Sequence, residues 1–211
     1  MFNYSEEFDH QVNNLISKGY PQLAQQTEEQ FVSSLIPLKE KLASFDLKEK
    51  DLENGYLPFI VVVQINNVNL EKLVALIQKD GKSGVTKLFP LQTKDFQTVN
   101  ETEIPNTRAY LLIDIDRGKE TLNIAPNAAM KIIKESHRSP LTIEEGVAIV
   151  THYPEYLMKN NCFSLLASRH PGDKRVPAIW INAQKQANLG WCWDGNPHTW
   201  LGSASCRHRI G

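Results

Sequence analysis

The period at which apolar residues recur changes along this chain, and that change limits its architecture more than any other feature. Up to about residue 152 most apolar stretches repeat at helical spacing, and from Cys162 onward they alternate. Phe8, Val12, Leu15 and Ile16 place an amphipathic helix over about residues 6–17, ended by Gly19 and Pro21. Thr27-Glu28-Glu29-Gln30 has the form of a capping box, and Phe31, Leu35, Leu38 and Leu42 extend one apolar face behind it. Pro37 interrupts that face and predicts a kink or a split, because proline has no N–H to give to the helical ladder.

The middle of the chain is mixed. Phe59 to Ile65 has the β-branched density of a buried strand, and Ala109 to Ile115 reads as another, turning at Asp116-Arg117-Gly118. Asn69 caps a short helix, Pro126 opens one through Ile133, and Thr142-Ile143-Glu144-Glu145 is a second capping box. Four short strands then follow at about 162–169, 176–181, 189–193 and 198–202. Pro177 makes the second of them an edge or bulged strand. The fold class is α+β: a helical N-terminal part, a mixed region, and a C-terminal antiparallel β-meander. The charged run at 48–55 is the one internal boundary, separating a helical subdomain of 1–55 from an α+β core of 56–211 within one compact unit.

Several function classes recede at this point. A chain of 211 residues with 41% hydrophobic and 22% charged residues can build its own core without a staple. The formal net charge of −1 argues against nucleic acid as a partner. The longest apolar run, Phe59 to Val63, is too short to span a membrane, and the acidic N-terminus lacks the apolar segment of a secretory signal. Three widely spaced cysteines suggest reduced thiols in a cytoplasmic protein. Charge is uneven, with ten Asp/Glu against five Lys/Arg in residues 1–60 and two Asp against six Lys/Arg in residues 160–211.

The C-terminal half resembles an uncharacterised bacterial family, a domain of unknown function common in actinobacteria. The resemblance covers roughly residues 109–206. It is carried by Asp116-Arg117-Gly118, by PLTIEEG from Pro140, NNCFSLLASR from Asn160 and RVPAIWIN from Arg175, and above all by GWCWDGNPHTWLG from Gly190. It implies a bacterial protein, and brings no activity, cofactor or catalytic residue.

All four tryptophans lie in the last 32 residues. If Asp194-Gly195-Asn196-Pro197 closes a hairpin, a two-residue or a four-residue loop gives the same register, pairing Trp193 with His198 and Trp191 with Trp200. Trp191, Trp193, His198 and Trp200 would then share one face, fit to hold a flat or cationic ligand. The basic, exposed loop of 169–175 could bring Arg175 alongside. The plainer reading is a cross-strand aromatic cluster that packs the sheet.

Other candidates are weaker. Cys162 could be a nucleophile if His152 or His170 approached it, and His198 is a second catalytic candidate. Cys162, Cys192, Cys206 and His198 are suitable zinc ligand types but lack paired spacing, so no metal and no cofactor is expected. Asp114 and Asp116 could share a face and hold magnesium, although Arg117 offers to neutralise them. His152 closes a helix whose dipole favours the protonated ring. The preferred function is a ligand-binding or interaction protein using the Trp/His face, with a small molecule or protein as partner. The alternatives are a small Cys/His-dependent hydrolase or transferase, and an interaction module using the acidic N-terminal helices.

Overall fold

The structure is a computed structural model and describes residues 2–211. Helix α1 (Tyr4–Ser17) is capped by Asn3, whose side chain accepts from the Glu6 N–H. Gly19, with φ of 78°, and Pro21 redirect the chain into the single turn α2 (Tyr20–Leu23). Both bonds of the capping box at Thr27 and Gln30 open α3 (Glu28–Lys41). Pro37 does not split that helix, which runs on to Lys41 and buries Phe31, Leu35 and Leu38.

Strand β1 (Tyr56–Val63) follows, then α4 (Leu70–Leu76) capped by Asn69, β2 (Val85–Thr86) and β3 (Ala109–Asp116). Next come α5 (Pro126–Glu135), β4 (Ser139–Pro140) and α6 (Ile143–His152). The remaining elements are β5 (Cys162–Ser164), β6 (Arg175–Ile181), β7 (Ala187–Trp193), β8 (Leu201–Ser203) and β9 (Ser205–Ile210). The class is therefore α+β, helical first and strand-rich last. The final strands do not follow one another across a sheet, however. One antiparallel sheet has the order β1-β3-β9-β4, and the other has β8-β5-β6-β7-β2. Strand β8 lies parallel to β5, and β9 crosses into the first sheet.

Pro177 lies in β6, which is a central strand and not an edge. Its carbonyl accepts from the Leu165 N–H, just past the end of the three-residue β5. The missing N–H faces the same side, where the ladder has already stopped, so no strand bond is lost.

Helix α6 joins the two sheets. Every residue of it except Glu144 is buried, the pattern of a helix surrounded by protein. Gly146 allows this approach: a Cβ there would stand 2.5 Å from Leu165 Cδ2. The N-terminal helices pack into the same core, with Phe8, Leu15 and Phe31 joining Phe59, Leu111 and Ile149 in one cluster.

β1 is an edge strand, yet its open side is covered. The buried Gln11 amide of α1 donates to the Phe59 carbonyl at 3.1 Å and accepts from the Val61 N–H at 2.8 Å, acting as a missing strand neighbour. The Val61 carbonyl meets His152 Nε2 at 3.0 Å, and Asn14 Nδ2 stands 3.3 Å from Nδ1. A carbonyl can only accept and an amide nitrogen can only donate, so these partners select the neutral ring protonated at Nε2. Burial, the larger effect, pushes His152 down to about 4. The helix dipole does not keep this ring charged.

Asp114 and Asp116 do not form a paired carboxylate site. Asp114 sits at φ of 54°, and both neighbouring ladders skip it. Arg138 and Arg207 hold its carboxylate at 3.0 and 2.9 Å, while Asp116 accepts from the Gly118 N–H. Arg117 is not the neutralising neighbour. It is buried and donates instead to the carbonyls of Leu52, Glu53 and Tyr156.

Gln11→Ala should cost about 2 kcal/mol in chemical denaturation, because it leaves a buried donor and acceptor of β1 unpaired. His152 binds its proton more weakly folded than unfolded, so its contribution is complete above pH 6.5 and is lost as pH falls toward about 4. That loss amounts to about 3 kcal/mol. His152→Gln should flatten the stability profile over this window, and an unchanged acid slope in urea titrations would show that another group carries it.

Candidate functional site

The hairpin β6–β7 positions the aromatic residues. Its loop is shaped by Asn182, whose side-chain oxygen accepts from the Gln184 and Gln186 N–H groups at 2.9 and 3.0 Å. The register pairs Arg175 with Trp193, Pro177 with Trp191 and Trp180 with Asn188. Opposed residues share a face, so Trp191 and Trp193 stand with Arg175, while Trp180 lies on the other face with Gly190.

The expected hairpin through 194–197 does not form. After Trp193 the chain leaves β7 and returns as β8 at the far side of the sheet. The reason lies in its backbone partners. Asp194 donates to the Lys174 carbonyl and accepts from the Asn127 N–H, His198 accepts from Asn123, and Trp200 accepts from Cys162. Those bonds draw residues 194–200 toward the start of α5 and toward β5, leaving β7 without them.

The four residues expected on one face therefore divide into two groups. Trp191 and Trp193 meet edge to face at 5.1 Å, and the Arg175 guanidinium lies 4.6 and 5.0 Å from their rings. Arg175 is also paired with Asp173, so its loop turns inward and is not wholly exposed. In the second group His198 stands 5.2 Å from Trp200, which meets Trp180 edge to face at 6.1 Å. Beyond Leu189 the outer edge of β7 has no strand partner. A cleft of about 330 Å³ lies there, lined by Trp180, Trp191, Trp193, Asn196, His198 and Trp200. A larger cleft of about 1060 Å³ has Trp180 and Trp200 on its wall, with Met158, Cys162 and Ile181. The same two indoles thus face both clefts.

Trp180 is the residue that the sequence reading left out. Its ring lies over Gly190, where a Cβ would come within 2.2 Å of Cη2. A tryptophan diagonally across a strand pair from a glycine is the signal that could have found it: the aromatic ring covers backbone that the glycine leaves bare.

None of the three thiols has an imidazole as its hydrogen-bond partner among the described residues. Cys162 is buried and contacts the Met158 carbonyl at 3.5 Å, and burial pushes its thiol up. Burial does the same at Cys192, which lies 3.9 Å from Ser164 Oγ, and raises Cys206 to about 12. Neither imidazole proposed as a base is in position. His152 is bonded to β1, and His170 packs edge-on against Phe96. His198 is turned to Trp200, and Cys206 belongs to the first sheet. Among the described residues, no three His, Cys, Asp or Glu side chains are grouped to hold a metal ion, and no helix is long and apolar enough to cross a membrane.

Fold and site define an α+β protein whose two larger sheets, beside two short two-stranded ones, share a buried helix, with an aromatic wall between two open clefts. The chain belongs to the family of unknown function DUF5701, whose family model matches residues 14–211. The relationship thus reaches well beyond residues 109–206, into α1. Comparison with curated proteins and with solved structures gives no match.

Gly190→Ala should force the Trp180 ring off the sheet, because the new methyl group would occupy its place. We expect a shifted tryptophan emission and a loss of about 1–3 kcal/mol on thermal melting. An unchanged emission spectrum would mean that the ring has room to spare.

Proposed function

We propose that this chain is a ligand-binding protein whose site is the tryptophan-lined end of the second sheet. The supporting observation is the Trp180–Trp200 pair, two half-buried indoles standing between two open clefts. Indole gives a broad apolar surface and one N–H donor, and His198 adds a polar group beside Trp200. The larger cleft is of the size that small-molecule sites occupy. Trp191 and Trp193 close the other side of the smaller cleft, and Arg175, which does not line it, packs on their rings and pairs with Asp173.

The reading as a Cys/His hydrolase or transferase has less support. Nucleophilic sulfur must be a thiolate, and burial disfavours that form at all three cysteines. A bacterial, cytoplasmic setting belongs to the same proposal, since three free thiols suit a reducing compartment. The partner is then a small molecule, not a nucleic acid or a membrane.

Two measurements test this. Native mass spectrometry of protein taken quickly from cells should reveal a non-covalent added mass, absent from a Trp200→Ala variant that still melts cooperatively. Iodoacetamide at neutral pH should label all three thiols slowly; one thiol reacting far faster than the others would favour the enzyme.

A further inference from the structure

We propose that the larger cleft takes a small molecule built as a flat aromatic or heteroaromatic ring bearing an anionic group, a phosphate or a carboxylate. This rests on the reading of Trp180 and Trp200 as a binding surface and adds the chemistry of what they bind. The charges around the cleft carry the inference. Lys79, Lys87, Lys159 and Lys185 all line it, against the two carboxylates of Asp80 and Glu155. Positive charge is thus in excess here, on a chain whose formal net charge is −1.

These lysines come from four separate segments. Lys79 is at the end of the short strand Gln78–Lys79, and Lys87 follows β2. Lys159 lies in the turn bridged by Met158 and Asn161, and Lys185 in the β6–β7 loop. Only Lys79 of the four has, among the described residues, a carboxylate within ion-pair distance. Among the described residues none of the four ammonium groups donates a hydrogen bond, whereas Lys18, Lys39, Lys50, Lys82 and Lys119 all do.

Lys79 is the most telling. Its side chain is only 11% exposed, and its one carboxylate neighbour, Asp80 at 3.9 Å, is itself 70% exposed and screened by water. A packed stem already fixes where its ammonium stands, so little side-chain freedom is lost when an anion meets it. Asn160 and Asn182 add amides to the same walls. An anionic group among the lysines would leave the attached ring against Trp180 and Trp200, where stacking and apolar burial reward a flat shape.

The test uses the intact chain with three matched probes: 1-naphthyl phosphate, 1-naphthol and inorganic phosphate. Calorimetry and tryptophan fluorescence should show 1-naphthyl phosphate binding at least about tenfold more tightly than 1-naphthol, with inorganic phosphate leaving the fluorescence unchanged. Raising salt from about 50 to about 500 mM should weaken the phosphate ester and spare 1-naphthol. Lys79→Met, which keeps the apolar stem, should cost the ester about tenfold and leave 1-naphthol unaffected. Should that variant fold poorly, the exposed pair Lys159→Ala and Lys185→Ala should give the same selective loss. Equal affinity for ester and alcohol would overturn the anionic class while leaving the aromatic site standing. If no ring compound binds, or if Trp180→Leu leaves ring binding untouched, the site reading fails with it.

Discussion

The Glu145 carboxylate, fully buried at the start of α6, is the contact on which the arrangement of this protein depends. One oxygen closes the capping box on the Thr142 N–H at 2.8 Å and accepts from Arg209 Nη2 at 2.8 Å. The other accepts from Arg209 Nε at 2.5 Å and from the Tyr110 hydroxyl at 3.0 Å. Arg209 also reaches the Ser139 hydroxyl and the Pro140 carbonyl, both at 2.7 Å. Helix α6 and strands β3, β4 and β9 therefore meet at a single ion pair. Burial alone would lower the affinity of Arg209 for its proton, but hydrogen bonding and the charge of Glu145 hold it well above the usual range. A buried pair contributes little net stability when compared with a well-packed apolar substitute. Its effect here is to select one arrangement, because any shift of α6 would strand a charge away from water.

Once α6 is held, the rest is placed against it. One side meets β1, whose open edge is finished by Gln11 and His152 instead of by another strand. The other side meets β6, and through it the hairpin that carries the tryptophans. Arg117 fastens the segment ahead of β1, joining the carbonyls of Leu52 and Glu53 to that of Tyr156. Its guanidinium also lies 5.1 Å from the Tyr156 ring. Buried arginine suits this task because its planar fork can serve several carbonyls at once.

The aromatic end of the second sheet is made differently. Its ion pair, Arg175 with Asp173, is local to one loop and does not tie several strands together. It is an assembly of rings from β6, β7 and the segment before β8, partly packed on the core and partly open to water. Trp193 is 42% exposed, whereas the largest side chains of the interior, Arg117, Tyr110 and Tyr156, are covered. Large rings packed on the core and partly open to water, with lysines along the adjoining cleft, are the features on which the proposed binding site rests.

Local signals in the sequence held wherever their partners were local. The capping boxes at Thr27 and Thr142, the cap at Asn69, the opening proline Pro126 and the alternating strands around 176–181 and 189–193 were all legible, since each depends on backbone geometry, hydrogen bonds or periodicity within a few residues. The hairpin at 194–197 was a reasonable local reading that lost to distant backbone partners. Pro177 could stand in a central strand only because β5 stops short, and His152 is held neutral by burial in the packed core. Nothing in the spacing of Lys79, Lys87, Lys159 and Lys185 marks them as neighbours. By itself, then, the sequence determined the longer helices, their principal caps and the strands around 59–65, 109–115, 176–181 and 189–193, because those free energies are settled over one turn or one ladder rung. The last strand, Ser205–Ile210, was not legible in it. The tertiary structure alone decided which strands adjoin, which charges lose water and which rings meet, because burial and long-range backbone pairing are properties of the packed chain and not of any segment in it.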